Sequence, residues 1–152
     1  MKKYTVLVCA LILIITTHAQ QTRWVMDKED LFTQAEEMRI DSLLQAYHNR
    51  SGNLVALYTD SADISEKDFG GKVYAQFKKV AVDSAYSYIL MMNRGRSLIF
   101  FTLNKKTAAF ADQQKLVAIL ESGFASFKEK KREEGVLKIF TKAIEFLDSL
   151  PK

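Results

Sequence analysis

Cysteine, proline, histidine and glycine are all scarce in this sequence. Its 152 residues include one Cys, one Pro, two His and six Gly. So little Pro and Gly, together with a hydrophobic content of 48%, excludes a disordered, collagen-like or low-complexity chain. A chain of this length buries about 70% of its unfolded surface, which is enough for one core without disulfides or a structural metal. We therefore expect a single compact domain.

The first 19 residues have the pattern of a Sec signal peptide. Two lysines precede an apolar run of about a dozen residues, and Ala19 is a small residue suited to cleavage before Gln20. The apolar run is too short to span a bilayer core of about 30 Å. We therefore predict a signal peptide over residues 1–19 and a single domain over residues 20–152 that is periplasmic or secreted. A signal sequence retained as an anchor is the alternative.

Removal of this segment limits the chemistry that the mature chain can carry. Cys9 and His18 are lost with it, which excludes disulfides, Cys and His zinc sites and a Cys/His nucleophile pair. Lys2 and Lys3 are lost as well, so the formal charge falls from +4 to +2. A nearly neutral exported domain is not expected to bind nucleic acid. No later segment is predicted to cross a membrane.

Hydrophobic periodicity predicts alternating helices and strands. The predicted helices cover residues 34–49 and 67–81, a segment that begins after Asp112 and a last segment that ends before Pro151, and the predicted strands cover residues 54–59, 86–92, 96–103 and 107–110. Residues 20–30 are expected to be a polar lead-in.

Short local motifs set the ends of these elements. Thr33 and Glu36 have capping-box spacing, and Gly52 predicts a left-handed stop to the first helix. The segment Asn93-Arg94-Gly95 predicts a three-residue hairpin loop with Gly at the position of positive φ. In the third helix, Gly123 is expected to be a weak point.

The order of elements predicts an α/β fold, a three-layer α/β/α sandwich with a small mixed sheet. A buried strand, a helix and a second buried strand form a parallel crossover, and the hairpin adds an antiparallel neighbour. Ligands of such sheets bind at the loops beyond the carboxyl ends of the parallel strands. Here those loops begin at Asp60 and Asn93.

Acidic residues in these loops are candidates for cation binding. The segment Asp60-Ser61-Ala62-Asp63 offers two carboxylates and a hydroxyl to a hard cation such as Ca²⁺ or Mg²⁺. Turn and helix-entry chemistry is the alternative role for that segment. Asp27 and Asp83 are further candidates, with turn residues or solvated charges as the alternative. His48, in the last turn of the first helix, is expected to interact with the helix dipole and not to take part in catalysis.

Several segments together resemble the TPM domain family, which is found in exported bacterial proteins and in the thylakoid lumen. The resemblance covers about residues 24 to 148. It rests on Val25-Met26-Asp27, Leu31-Phe32-Thr33, Arg39-Ile40-Asp41-Ser42-Leu43-Leu44, Thr59-Asp60, Tyr88-Ile89-Leu90-Met91-Met92, Asn93-Arg94-Gly95-Arg96 and Glu134-Gly135-Val136-Leu137.

The resemblance implies a small acidic pocket, divalent-metal binding and weak acid phosphatase activity. Asp27 matches the acidic residue before the first helix, and Asp60 matches a polar residue after the first strand. Asp83 lies near an Asp-Asn-Gly turn of many members, which this chain replaces by Val82-Asp83-Ser84-Ala85. The leading hypothesis is that these three aspartates hold Ca²⁺ or Mg²⁺, which polarises a phosphoryl oxygen and activates water. The alternative is a non-catalytic binding or assembly module that contacts an envelope protein partner.

Overall fold

The chain forms four strands and six helices over the residues that a computed structural model describes, 24–63 and 65–152. The predicted signal peptide over residues 1–19 lies outside the described residues. In chain order the elements are β1 (Val25–Asp27), α1 (Gln34–Ser51), β2 (Leu54–Thr59), α2 (Glu66–Asp83), β3 (Ser87–Asn93), β4 (Leu98–Leu103), α3 (Lys105–Ala108), α4 (Gln113–Glu121), α5 (Phe124–Lys128) and α6 (Arg132–Asp148).

The four strands form one mixed sheet in the order β1-β2-β3-β4. β1, β2 and β3 are parallel, and β4 runs antiparallel to β3. All residues of β2 and β3 are buried, as expected for apolar strands that are covered on both faces. Helices α1 and α6 pack against one face, and α2 covers the other, where the Phe69 ring contacts Tyr58 and Phe100. The predicted α/β sandwich is therefore confirmed.

The predicted caps of the first helix are also confirmed. The Thr33 hydroxyl accepts a hydrogen bond from the Glu36 N–H, and the Glu36 carboxylate accepts one from the Thr33 N–H. At the other end Gly52 has a φ of 70°, and its N–H donates to the His48 carbonyl. Because glycine has no Cβ, it adopts this left-handed conformation without strain.

Two segments differ from the predicted elements. Residues 25–27 form a strand where a polar lead-in was predicted, because three residues are too few to show a periodicity. The strand predicted at residues 107–110 is wrong. The Asn104 side chain accepts hydrogen bonds from the N–H and the hydroxyl of Thr107, at 2.9 Å and 2.6 Å, and this cap starts the short helix α3 instead.

The hairpin between β3 and β4 differs as well. Its loop has four residues, 94–97, and the positive φ falls on Ser97, at 51°, and not on Gly95. The Asn93 side chain accepts a hydrogen bond from the Arg96 N–H at 2.9 Å and so tightens the start of the turn. A loop of this length is commonly built on a type I turn, which moves the left-handed residue to its last position.

The predicted third helix is divided into α4 and α5 at Gly123. A Cβ on Gly123 would lie 2.6 Å from the Gly135 carbonyl oxygen and 2.8 Å from the Ile139 Cδ1, both in α6. The helix is therefore interrupted at the expected weak point, and the glycine is also a site of close packing against α6. The Gly135 carbonyl oxygen belongs to the backbone of α6, which moves away from such a contact less easily than the end of a flexible side chain does.

Gly123→Ala is expected to lower the free energy of unfolding by about 1–3 kcal/mol, because the added methyl group overpacks the contact with α6. Urea unfolding followed by circular dichroism measures this difference. Gly71→Ala is the matched control. Apart from its chain neighbours and the nearby backbone of α2 itself, no atom lies within 4 Å of a Cβ built on Gly71, so the same change there is expected to stabilise the protein by about 0.5–1 kcal/mol. Equal effects of the two substitutions would contradict this account.

Candidate functional site

The carboxyl edge of the parallel strands is the candidate functional site. Asp27, Thr59 and Met92 are aligned across β1, β2 and β3, so the three strands end at the same level. The loops that follow them, whose described residues are 28–33, 60–63 with 65, and 94–97, therefore meet at one edge of the sheet.

Asp27 lies at this edge, and its carboxylate folds the first loop. One oxygen accepts hydrogen bonds from the Thr59 hydroxyl and, at 3.3 Å, from the Glu29 N–H. The other oxygen accepts from the Phe32 N–H at 2.8 Å. Three donors from the protein thus converge on this side chain, which returns the chain toward α1 in the manner of an Asx turn.

Asp60 lies at the same edge but faces α2. Its Oδ2 accepts hydrogen bonds from the Tyr58 hydroxyl at 2.9 Å and from the Lys72 ammonium at 2.5 Å. Its Oδ1 accepts from the Ala62 N–H at 2.9 Å. The residue is 9% exposed, so this ion pair is partly withdrawn from water. A carboxylate in such a position needs these partners to remain charged.

The ionisation of this group follows from the same contacts. Burial by itself raises the pKa of Asp60, but the Lys72 ammonium and the other two donors outweigh burial and lower that pKa below its ordinary value. Burial, followed by the Asp60 carboxylate, raises the pKa of Tyr58 to about 12. At neutral pH the tyrosine hydroxyl is therefore a hydrogen-bond donor and Asp60 is an anion.

Asp83 is not brought to this edge. It is the last residue of α2, which leads into β3 at Ser87, and Ser87 pairs with Leu54 at the start of β2. Asp83 and Asp60 therefore lie at opposite ends of the sheet, and the expectation that all three aspartates share a rim is corrected. The parallel crossover causes this separation, because its helix has to return the chain to the amino end of the sheet.

The two remaining aspartates also face different sides of the sheet. Asp27 shares a face with its register partner Thr59, whereas Asp60 shares a face with Tyr58. Among residues 24–63 and 65–152, no group of three or more His, Cys, Asp or Glu side chains is placed to hold a metal ion. The residues do not fit the three-carboxylate site that the family resemblance implies, and cation binding by Asp27 or Asp60 alone stays a prediction.

The hairpin loop is bonded to both neighbouring loops. The Asn93 side chain donates to the Ala62 carbonyl at 2.9 Å, and the Glu29 carboxylate accepts from the Arg94 N–H at 3.0 Å. An open depression of about 470 Å³ lies beside these contacts, lined by Lys28, Glu29, Asp30, Ser61, Arg94 and Gly95. Its charges are mixed and its loops are held in place, which suits a contact surface.

Sequence reasoning missed Lys72, the ion-pair partner of Asp60. One signal was present, since Lys72 lies three residues after Phe69 and one before Val73, on the side of α2 that faces the sheet. A lysine there requires a nearby carboxylate. His48 occupies its predicted place in the last turn of α1, where its Nδ1 lies 2.9 Å from the Asn53 carbonyl and its ring contacts Trp24.

A second candidate surface lies along β4, the last strand of the sheet. Each of its six residues, Leu-Ile-Phe-Phe-Thr-Leu, is only partly buried. Beside it a groove of about 660 Å³ separates β4 from α2, lined by Lys67, Gly70, Gly71, Tyr74, Met91, Phe100, Phe101 and Thr102. This uncharged strand is partly accessible beside α2, which also contacts it through Phe69 and Phe100.

Comparison with known proteins establishes the fold. The NMR structure of the BA42 protein from the psychrophilic bacterium Bizionia argentinensis is similar to this chain, with a TM-score of 0.67 and 13% sequence identity. The superposed region covers 80% of this chain and 84% of BA42. The NMR structure of the N-terminal domain of a protein from P. gingivalis is also similar, with a TM-score of 0.66 and 19% sequence identity. Here the superposed region covers 86% of this chain and 85% of that domain. No protein-family model matches the sequence, and no curated protein matches it significantly. The chain therefore has the α/β fold of these two proteins.

Asp60→Asn is expected to lower the free energy of unfolding at pH 7 by about 1–2 kcal/mol, because it leaves Lys72 without a carboxylate. Asp63→Asn, an exposed change in the same loop, is the control and is expected to stay within about 0.5 kcal/mol of wild type. Urea unfolding at several pH values measures both.

The effect of Asp60→Asn should also depend on pH. A carboxyl whose pKa is lowered on folding stabilises the protein above its unfolded pKa of about 3.9, and that stabilisation is lost as the pH falls through the folded pKa. The difference between wild type and Asp60→Asn should therefore be constant near neutrality and shrink below about pH 4. A difference that grows on acidification would contradict the assigned ion pair.

Proposed function

We propose that the chain is an exported TPM-like domain that acts as a non-catalytic binding or assembly module of the cell envelope. The observation that carries this proposal is β4, an apolar edge strand whose six residues are all only partly buried. Sheets normally protect such an edge with charges, bulges, proline or a covering segment, because unpaired backbone groups recruit other chains. An edge of this kind is suited to contact with a partner.

The carboxyl edge supports the same proposal. The carboxylates of Asp27 and Asp60 accept hydrogen bonds from six protein donors and hold the loops together. His48 lies at the opposite edge, beside the start of β2. General base and nucleophile chemistry requires groups within hydrogen-bond reach of one another, and the described residues of this edge present ion pairs and turn contacts.

Metal-dependent phosphatase activity is the hypothesis with which this proposal competes. It derives from the family resemblance, and of its three aspartates two lie at the candidate site. A cation at Asp60 would share this carboxylate with Lys72, and the two positive charges would repel each other. A module that works by contact has no such conflict.

Export is the second part of the proposal. Among the described residues, no helix has the length and apolar character required to cross a membrane. The sequence pattern of residues 1–19 supports a periplasmic or secreted domain, with a retained anchor as the alternative. Intact-mass measurement of the protein recovered from the envelope or the medium is expected to give a chain that begins at Gln20. A mass that includes residues 1–19 would favour the anchor.

The absence of metal-linked catalysis is directly testable. Addition of millimolar Ca²⁺ or Mg²⁺ is expected to leave the melting midpoint unchanged, because a ligand that binds only the folded state would raise it. Hydrolysis of p-nitrophenyl phosphate at acidic pH should equal that of the Asp60→Asn variant, with or without metal. Metal-dependent turnover that this variant loses, while Asp63→Asn keeps it, would overturn the non-catalytic proposal.

A further inference from the structure

We propose that the outer edge of β4 binds an extended peptide segment of a partner protein as an additional strand, with apolar residues at alternate positions of the peptide and acidic residues at both of its ends. This inference rests on the proposed binding function and assigns to it a surface and a class of ligand. Among the described residues, β4 pairs with β3 alone. Its other side therefore presents backbone N–H and C=O groups for main-chain pairing.

The two edges of the sheet differ in how they are protected. β1 has only three residues, and the N–H groups of Trp24 and Val25 donate to the Asp41 carboxylate at 2.7 Å and 3.1 Å. β4 has six residues, none of them charged, and no proline. A short strand and hydrogen-bonded backbone groups are common features that keep a sheet edge from pairing with other chains, and β4 has neither along its central residues.

The groove beside β4 provides space for the side chains of an added strand. A Cβ built on Gly70 or Gly71 of α2 would have no other atom within 4 Å. Phe100 and Thr102, which share one face of β4, line the same groove. Because side chains alternate along a strand, a peptide paired with β4 would direct every second side chain into this space, where apolar groups are favoured.

The charges around β4 favour acidic ends on the peptide. Residues 84–111 contain no Asp or Glu, and their four charged residues are all basic: Arg94 and Arg96 before β4, and Lys105 and Lys106 after it. The Glu29 carboxylate lies beside the Arg94 backbone and the Lys106 ammonium lies over the Tyr86 ring, so Arg96 and Lys105 are the cations nearest the two ends of the strand. Lys67 adds a fifth cation at the groove. A peptide six residues long between acidic ends would place its carboxylates beside these cations at both ends of the strand.

The same charges disfavour a second copy of this chain as the occupant. In the register that pairs all six residues, antiparallel pairing of two β4 strands about a twofold axis places residue 98 opposite residue 103, and therefore Arg96 opposite Lys105 of the other copy. Like charges directly opposite each other destabilise a strand pair. The occupant that fits is a segment of another protein.

Binding of a defined peptide tests this inference. The probe is a fluorescent ten-residue peptide with three Val-Thr repeats between two glutamates at each end, and the control peptide carries lysines in place of the glutamates. Fluorescence anisotropy is expected to show saturable binding that is at least about tenfold tighter for the glutamate peptide in low salt. In NMR spectra the peptide is expected to shift the amide signals of β4 and of the first turns of α2.

Two variants locate the site. Gly71→Leu fills the groove and is expected to weaken binding at least about tenfold, without a lower melting midpoint, because leucine is a better helix former than glycine. Gln76→Leu adds the same side chain at an exposed position of α2 outside the groove and should bind normally. Lys67→Glu combined with Lys105→Glu should reverse the preference between the two peptides.

Several results would overturn the inference. They are equal binding of the two peptides, no saturable binding, shifted signals away from β4, or a sedimentation pattern of a dimer that Gly71→Leu abolishes. If the glutamate peptide does not bind and no metal-dependent turnover is seen, the peptide site alone is refuted. Conversely, turnover that Asp60→Asn abolishes would refute the non-catalytic function, while peptide binding at β4 would still stand.

Discussion

The parallel pairing of β2 with β3 is the constraint on which the rest of the molecule depends. Both strands are apolar and buried along their whole length, so each face of the sheet has to be covered by helices. α1 and α6 cover one face and α2 the other. Parallel pairing also requires the crossover through α2, which sends the chain back to the amino end of the sheet. The positions of all loops, and therefore of all candidate polar groups, follow from this arrangement.

At the carboxyl edge, the polar side chains stabilise the fold by hydrogen bonds. A carboxylate that is largely withdrawn from water remains charged only when protein donors replace the water it loses. The Asp60 carboxylate accepts hydrogen bonds from Lys72, Tyr58 and the Ala62 N–H. The Asp27 carboxylate accepts hydrogen bonds from its own loop and from Thr59. The result is a set of loops held firmly at one edge. A partly accessible apolar strand, β4, lies at the side of the sheet.

Local sequence signals predicted those features that a few neighbouring residues decide. The capping box of Thr33 and Glu36 and the stop at Gly52 depend on hydrogen bonds and φ angles within one helix turn, and both were confirmed. The apolar run at residues 54–59 matched β2 at both ends. The hairpin was placed correctly, but its predicted three-residue loop was wrong, because the pairing of Asn93 with Leu98 leaves four residues between the strands.

The sequence by itself determined the α/β class, the parallel strand pair and the edge at which its loops meet, because burial and periodicity act along short stretches of chain. Only the tertiary structure decided which acids are neighbours. It separated Asp83 from Asp60 by the length of the sheet, paired Asp60 with Lys72 of α2, and placed Gly123, at the break between α4 and α5, against α6. These outcomes depend on how whole elements cross in space, and no local pattern of residues records that crossing.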